Sequence, residues 1–248
     1  MLRAWLEQPL RPGATTVTLS AEESGHLVRS LRARRGDTVV LLDGTGLIAE
    51  GRLASADGDA SVVELLKVTR APEPTPRITL VQAMPKGGTM DDLVRSAAEA
   101  GAAEIRPLMT ARCEVRLDAD RAAAKAERWR DQCIEACKQC GNPWLARVAT
   151  PANFRNWIDA LPPPEPGELR LTASLEIDAT PAAHRRLTDI RQVTWLVGPE
   201  GDFTPEELAS ARHAGFLPVS LGPTVLRAEN AALACIVTTH LLRQQAEG

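Results

Sequence analysis

Val193-Thr194-Trp195-Leu196-Val197 runs into Gly198-Pro199-Glu200-Gly201-Asp202-Phe203-Thr204-Pro205-Glu206-Glu207, and a second unit of the same kind follows. That unit is Phe216-Leu217-Pro218-Val219-Ser220-Leu221, then Gly222-Pro223-Thr224-Val225-Leu226-Arg227-Ala228-Glu229-Asn230. Each has an apolar run of buried-strand length, a glycine where the run ends and helix-start chemistry beyond it. Strands alternating with helices predict an α/β sheet, and in open sheets of that class ligands collect outside the carboxyl ends of the strands. Two neighbouring glycine loops therefore predict one shared pocket.

The charges say what that pocket would hold. A phosphate loop offers backbone N–H groups and a helix N-terminus to an anion. Here Glu200 and Asp202 stand in the loop, with Glu206 and Glu207 in the first helical turn. Neither the G-x-G-x-x-G nor the G-x-x-x-x-G-K spacing is present. A ligand without phosphate and with positive charge fits better. Thr204 as N-cap, Pro205 at N1 and Glu207 at N3 read as a capping box and need no further role. In the second loop, Arg227 and Glu229 place a cation and a carboxylate at the entrance of an apolar helix, Ala231 to Leu242. The same two residues also fit a surface ion pair with Glu229 favouring the helix dipole.

Gly198-Pro199-Glu200-Gly201, followed by Leu221-Gly222-Pro223 and Val225-Leu226-Arg227-Ala228-Glu229, resembles the signature of the RsmE family, the 16S ribosomal RNA uridine N3-methyltransferases of the SPOUT superfamily. Gln82-Ala83-Met84-Pro85-Lys86-Gly87, Met90-Asp91, Glu99-Ala100-Gly101 and Ile105-Arg106-Pro107-Leu108 resemble its domain-entry segment. Ala111-Arg112-Cys113, Trp129 and Glu135-Ala136-Cys137-Lys138-Gln139-Cys140-Gly141 resemble its middle segment. The resemblance implies a small N-terminal PUA-like β-barrel, a C-terminal α/β domain threaded as a trefoil knot, S-adenosylmethionine as cofactor and a homodimer. It further implies action on a decoding-region uridine of 16S rRNA in the assembled 30S subunit. A sulfonium cofactor without phosphate agrees with the acidic loop. Where the family usually has Gly, Arg and Thr, this chain has Asp202, Thr224 and Asn230, and Asn142-Pro143-Trp144 lacks a commonly following Arg. A missing guanidinium removes a bidentate partner for RNA.

With 248 residues the chain has room for two domains, and a net charge of −3 excludes a globally basic nucleic-acid binder. Only Lys67, Lys86, Lys125 and Lys138 are lysines among 29 basic residues. The rest are Arg, suited to planar phosphate recognition. Tyr is absent, which argues against extended base-stacking platforms. The chain has neither an apolar run of about twenty residues nor a signal-peptide pattern, so a soluble cytoplasmic protein with reduced cysteines is expected.

Short β segments fill Trp5 to Thr69, among them Thr16–Leu19, Thr38–Leu42, Leu47–Leu53 and Ser61–Val68, with turns at Asp43–Gly46 and Asp57-Gly58. A helix is expected over Ala21–Leu31, capped by Ser20 with Glu23 in the capping-box position. Ala71-Pro72-Glu73-Pro74-Thr75-Pro76 breaks every periodicity. The expected division is 1–70 for the RNA-binding barrel, 71–76 for the linker and 77–248 for the methyltransferase domain. His26, Arg29, Arg32, Arg34 and Arg35 cluster in the small domain. They read as a solvated helix end or, beside an RNA-modifying resemblance, as phosphate contacts together with Lys86.

Cys133, Cys137 and Cys140 have the spacing of a radical-enzyme iron–sulfur site. They lie in a helical run, Asp120 to Gln139, on one face with Trp129, and read as a core stripe in which no metal is expected. The whole predicts a methyltransferase acting on uridine N3, whose proton must leave before the nitrogen can attack. Glu229 is the candidate for handling that proton and Arg227 for stabilising charge on the uracil or holding a phosphate. Leu196, Gly198, Glu200, Gly201, Leu221, Gly222 and Leu226 are the candidates for holding S-adenosylmethionine. The alternatives are a SPOUT tRNA ribose 2′-O-methyltransferase and a non-catalytic module binding the cofactor and RNA.

Overall fold

Along Leu47–Ser55, Leu47, Ala49, Gly51 and Leu53 are buried while Glu50, Arg52 and Ala54 are exposed. This period-two pattern is that of a strand with one wet face. It belongs to a computed structural model describing residues 1–176, 179–181, 187 and 189–247. The chain divides into two units, Met1–Glu73 with Ile134–Leu145, and Pro74–Cys133 with Ala146–Gly248.

The small unit holds β1 (Leu2–Trp5), β2 (Thr16–Thr18), α1 (Ala21–Gly25), a π-helical turn (His26–Ser30), β3 (Thr38–Leu42), β4 (Leu47–Ser55) and β5 (Val62–Arg70). Its sheet has the order β1-β3-β4-β5-β2. β1 runs parallel to β3 and the other pairs are antiparallel. Leu27, Val39, Leu41, Leu53 and Val63 form its core. The helix expected over Ala21–Leu31 is corrected: it changes to π geometry at His26, and Arg32 leaves it with φ +57°. The capping box expected there is half formed. The Ser20 hydroxyl accepts the Glu23 N–H at 3.4 Å, but the Glu23 carboxylate turns inward, accepting the Trp5 N–H at 2.9 Å and lying 2.6 Å from Lys138 Nζ. Both ends of that pair are 8% exposed, and Glu135 is a second partner of Lys138 at 2.6 Å. Burial pulls the Lys138 pKa down, but the hydrogen bonds and charges of Glu135 and Glu23 outweigh it and raise the ammonium above its ordinary value. Ile134, Cys137 and Leu145 pack on Trp5, Val40 and Leu42. Trp144 donates its indole N–H to the Pro72 carbonyl at 3.0 Å.

The large unit continues with β6 (Arg77–Ala83), α2 (Thr89–Glu99), β7 (Glu104–Met109), α3 (Ala119–Cys140), β8 (Arg147–Val148), β9 (Ala152–Asn153) and α4 (Phe154–Asp159). It ends with β10 (Glu168–Ala173), β11 (Thr180–Pro181), β12 (Gln192–Val197), α5 (Pro205–His213), β13 (Leu217–Ser220) and α6 (Ala228–Glu247). α3 begins in this unit and finishes in the small one. The sheet is parallel, in the order β11-β13-β10-β12-β6-β7-β8, with β9 also on β7. β6 and β12 at its centre are buried almost throughout, which explains why they read as unbroken apolar runs.

α3 stops at Gly141, whose φ of +85° suits the residue after a helix end. Cys133 and Cys137 are buried on its inner face with Trp129, whereas Cys140, expected in the same stripe, is exposed. Burial pushes the Cys133 thiol up to about 12, the opposite of what a thiolate ligand needs. Among the described residues no cluster of His, Cys, Asp and Glu is arranged to hold a metal ion, and no helix is long and apolar enough to cross a membrane. The C-terminal helix starts at Ala228 and reaches Glu247, longer at both ends than the expected Ala231–Leu242.

Candidate active site

The carboxyl ends of β10, β12 and β13 open into one cavity of about 300 Å³. After β12, Gly198, Pro199, Glu200 and Asp202 form one wall. After β13, Leu221, Gly222, Thr224, Leu226 and Arg227 form another. Gly222 has φ +146°, a conformation L side chains rarely adopt, and a Cβ built there would meet no atom within 4 Å. Glycine therefore leaves an open cradle where a ligand can approach the backbone closely.

The acidic wall is held from outside. Arg112 Nη1 donates to the carbonyls of Gly201 and Phe203 at 2.7 and 3.1 Å, and the Ala111 N–H donates to Glu207 Oε1 at 2.8 Å. Gln82 Nε2 reaches the Gly198 carbonyl at 3.4 Å, and the Lys86 N–H donates to Glu200 Oε1 at 3.0 Å. Asp202 has φ +59°, a region Asp tolerates, and its Oδ1 accepts the Phe203 N–H at 2.8 Å. Thr204 and Glu207 complete both halves of the capping box expected at α5. Hydrogen bonds from its own backbone N–H and from Thr204 hold the Glu206 carboxyl below its ordinary value.

A family model described as an RNA methyltransferase domain matches residues 71–240, and one described as an RNA methyltransferase PUA domain matches residues 19–66. The ribosomal RNA small subunit methyltransferase E of Synechocystis is 32% identical over 92% of this chain and 73% of its own length. The chain belongs to the ribosomal RNA small subunit methyltransferase E family. The Neisseria gonorrhoeae enzyme of that name, solved bound to S-adenosyl methionine, is 33% identical, covers 98% of each chain and superposes with a TM-score of 0.81. A putative methyltransferase from Legionella pneumophila, solved with the cofactor SAM, is 28% identical over 97% of each chain with a TM-score of 0.82.

Of the residues expected to hold cofactor, Gly198, Glu200, Leu221, Gly222 and Leu226 line the cavity. Leu196 is fully buried within β12, and Val197 takes the place at the wall. Gly201 lies against Arg112, its would-be Cβ 3.4 Å from Arg112 Cβ. Arg227 is on the wall, whereas Glu229, in the first turn of α6, is not. Lys86 sits in the large unit, in an exposed ion pair with Glu114 at 2.6 Å, whose hydrogen bond and charge raise its pKa. His26, Arg29, Arg32, Arg34 and Arg35 all lie in the small unit. There Arg29 is paired with Asp59 at 2.7 Å, while Arg32, Arg34 and Arg35 are exposed. Sequence reading missed Ala173, Ser174 and Leu175, which close the cavity at the end of β10. The one available signal was the apolar alternation of Leu169, Leu171 and Ala173, which marks a third strand but not its adjacency to the other two.

Proposed function

We propose that this chain is an S-adenosylmethionine-dependent methyltransferase acting on N3 of a uridine in 16S ribosomal RNA, within the 30S subunit. The observation that carries the reading is the shared cavity, built from two glycine loops and bearing carboxylates where a phosphate loop would bear N–H groups. Those residues fit the cofactor: the Gly222 cradle admits bulk, the backbone of Gly198, Leu221 and Leu226 offers hydrogen-bonding groups, and Glu200 and Asp202 favour a cation. When bound, the cofactor supplies an electrophilic methyl group.

The chain's own task is to hold the uracil edge in line and manage the N3 proton. Orientation contributes the larger share of such acceleration and proton transfer the smaller. Arg227 faces the cavity, where it stabilises negative charge gathering on the uracil. Glu229, in the first turn of α6 two residues beyond Arg227, takes the proton. The small unit's cations, with Lys86, position RNA through phosphates. The proposal includes the family's closed PUA-like barrel, trefoil threading of the large unit, a homodimer and a cytoplasmic site of action. The out-of-sequence strand order around β10 supports the threading. Exposed Val237 and Leu241 on α6, 47% and 54% accessible, support a helix-to-helix dimer.

Mass spectrometry of nucleosides from the ribosomal RNA and the tRNA of a deletion strain tests the reading. Loss of N3-methyluridine, restored by the wild-type gene, is expected. Loss of a tRNA 2′-O-methyl nucleoside instead would identify a ribose methyltransferase, and an unchanged profile a non-catalytic binding module.

A further inference from the structure

Glu200 and Asp202 both line the cavity but differ in what else they touch. Glu200 accepts the Lys86 N–H at 3.0 Å, and the Lys86 ammonium feels its charge. Among the described residues Asp202 accepts only the neighbouring Phe203 N–H, at 2.8 Å, and no ion pair compensates it. Across the cavity the cation on the wall is Arg227, and no ion pair engages that group either among the described residues. In Asp202 the pocket therefore presents a carboxylate that, among the described residues, has no cation beside it inside the protein. It stands in a half-buried wall where charges are less screened than in bulk water.

We propose that Asp202 is a specificity-determining residue that makes the pocket prefer the cationic cofactor over its neutral product. The inference rests on the S-adenosylmethionine reading above. Transfer of the methyl group breaks the carbon–sulfur bond, its electron pair staying on sulfur, and turns a sulfonium into a thioether. The ligand loses one positive charge and little of its shape. Backbone hydrogen bonds and apolar walls respond equally to both forms. A carboxylate does not, since its Coulomb attraction acts on the charged form alone. Asp202 thereby favours loading of cofactor and weakens retention of product, at a position where the family resemblance carries glycine.

Asp202→Asn tests this with little change in shape, because Asn also tolerates positive φ and its Oδ1 still accepts the Phe203 N–H. Affinities would be measured by calorimetry for S-adenosylmethionine, for S-adenosylhomocysteine and for sinefungin, which carries an amine cation near the sulfonium position. One partly screened carboxylate should change the ratio of charged to neutral affinities by about five- to tenfold. The expected result is weaker binding of S-adenosylmethionine and sinefungin by that factor, unchanged S-adenosylhomocysteine and an unchanged melting temperature. Asp202→Gly should move the ratio the same way, which separates charge from loop shape. Equal loss for all three ligands, or no change in the ratio in either variant, would overturn the proposal. Failure of wild-type protein to bind any of the three would instead overturn the cofactor reading.

Discussion

Glu23 in the small unit and Asp202 in the large one are both carboxylates beside a helix start or loop, and the protein uses them in opposite ways. Glu23 is buried, and its two oxygens are consumed by Lys138 and the Trp5 N–H. Asp202 spends one oxygen on its neighbour, lines a cavity and has no ion-pair partner among the described residues. The small unit neutralises its buried charges internally, which fixes which segments assemble. The large unit leaves charge uncompensated where a ligand can use it. A charged residue's role is thus read from whether its partners are already present.

The largest effect should come from breaking the satisfied side of this contrast. Glu23→Leu strands the Lys138 ammonium with Glu135 as its remaining partner, and should lower stability by about 3 kcal/mol in chemical denaturation. Lys138→Met added to it should recover much of that loss. S-adenosylmethionine affinity of the folded fraction should not move, and a large drop there would dissolve the distinction between the two units. On the other side, Gly222→Val places a branched side chain at φ +146° in the cradle. Calorimetry should show cofactor affinity falling at least about 100-fold, equivalent to about 2.7 kcal/mol.

The same contrast explains how far the chain could be read without coordinates. β12, β13, the α5 capping box and the end of α3 were legible because their signals are local: apolar runs, Thr204 to Glu207, and Gly141. The shared pocket was legible because the glycine loops follow consecutive units. Pairing β1 with β3 was not, since Leu2 meets Val39 and nothing in either strand names the other. Glu23 carried a capping-box spacing that its burial overrode, and nothing in the sequence named Lys138, 115 positions away, as its partner. The third pocket wall at Ser174 depends on strand order, with β10 lying between β12 and β13. Long-range adjacency is what local chemistry does not encode.

Two smaller effects sharpen the comparison. Arg112→Ala should weaken cofactor binding by about tenfold while leaving the rate at saturating cofactor nearly intact, because Arg112 shapes the acidic wall from outside it. Arg112→Lys should recover part of the affinity in the same titration. For the small unit, the raised Lys138 pKa fixes the sign of a pH effect. The stabilisation is fully present below the unfolded-state value of about 10.5 and is lost as pH rises through the higher folded-state value. Denaturation midpoints at pH 9 to 12 should fall more steeply in wild type than in Glu23→Leu/Lys138→Met. Parallel curves would show that another group governs alkaline unfolding.

α3 belongs to both units, and its last turn brings Lys138 and Cys137 to the small one while its beginning stays with the large. The polypeptide therefore cannot be dissected at the proline-rich segment between residues 71 and 76. A fragment ending there would lack Ile134, Lys138 and Trp144 and expose the bare side of Trp5, so it should be insoluble when expressed alone. Supplying residues 134–145 on a tether to the same fragment should rescue it. Gene fusion or exchange of the amino-terminal piece between relatives would face the same constraint: the piece is inherited together with a dozen residues encoded far downstream.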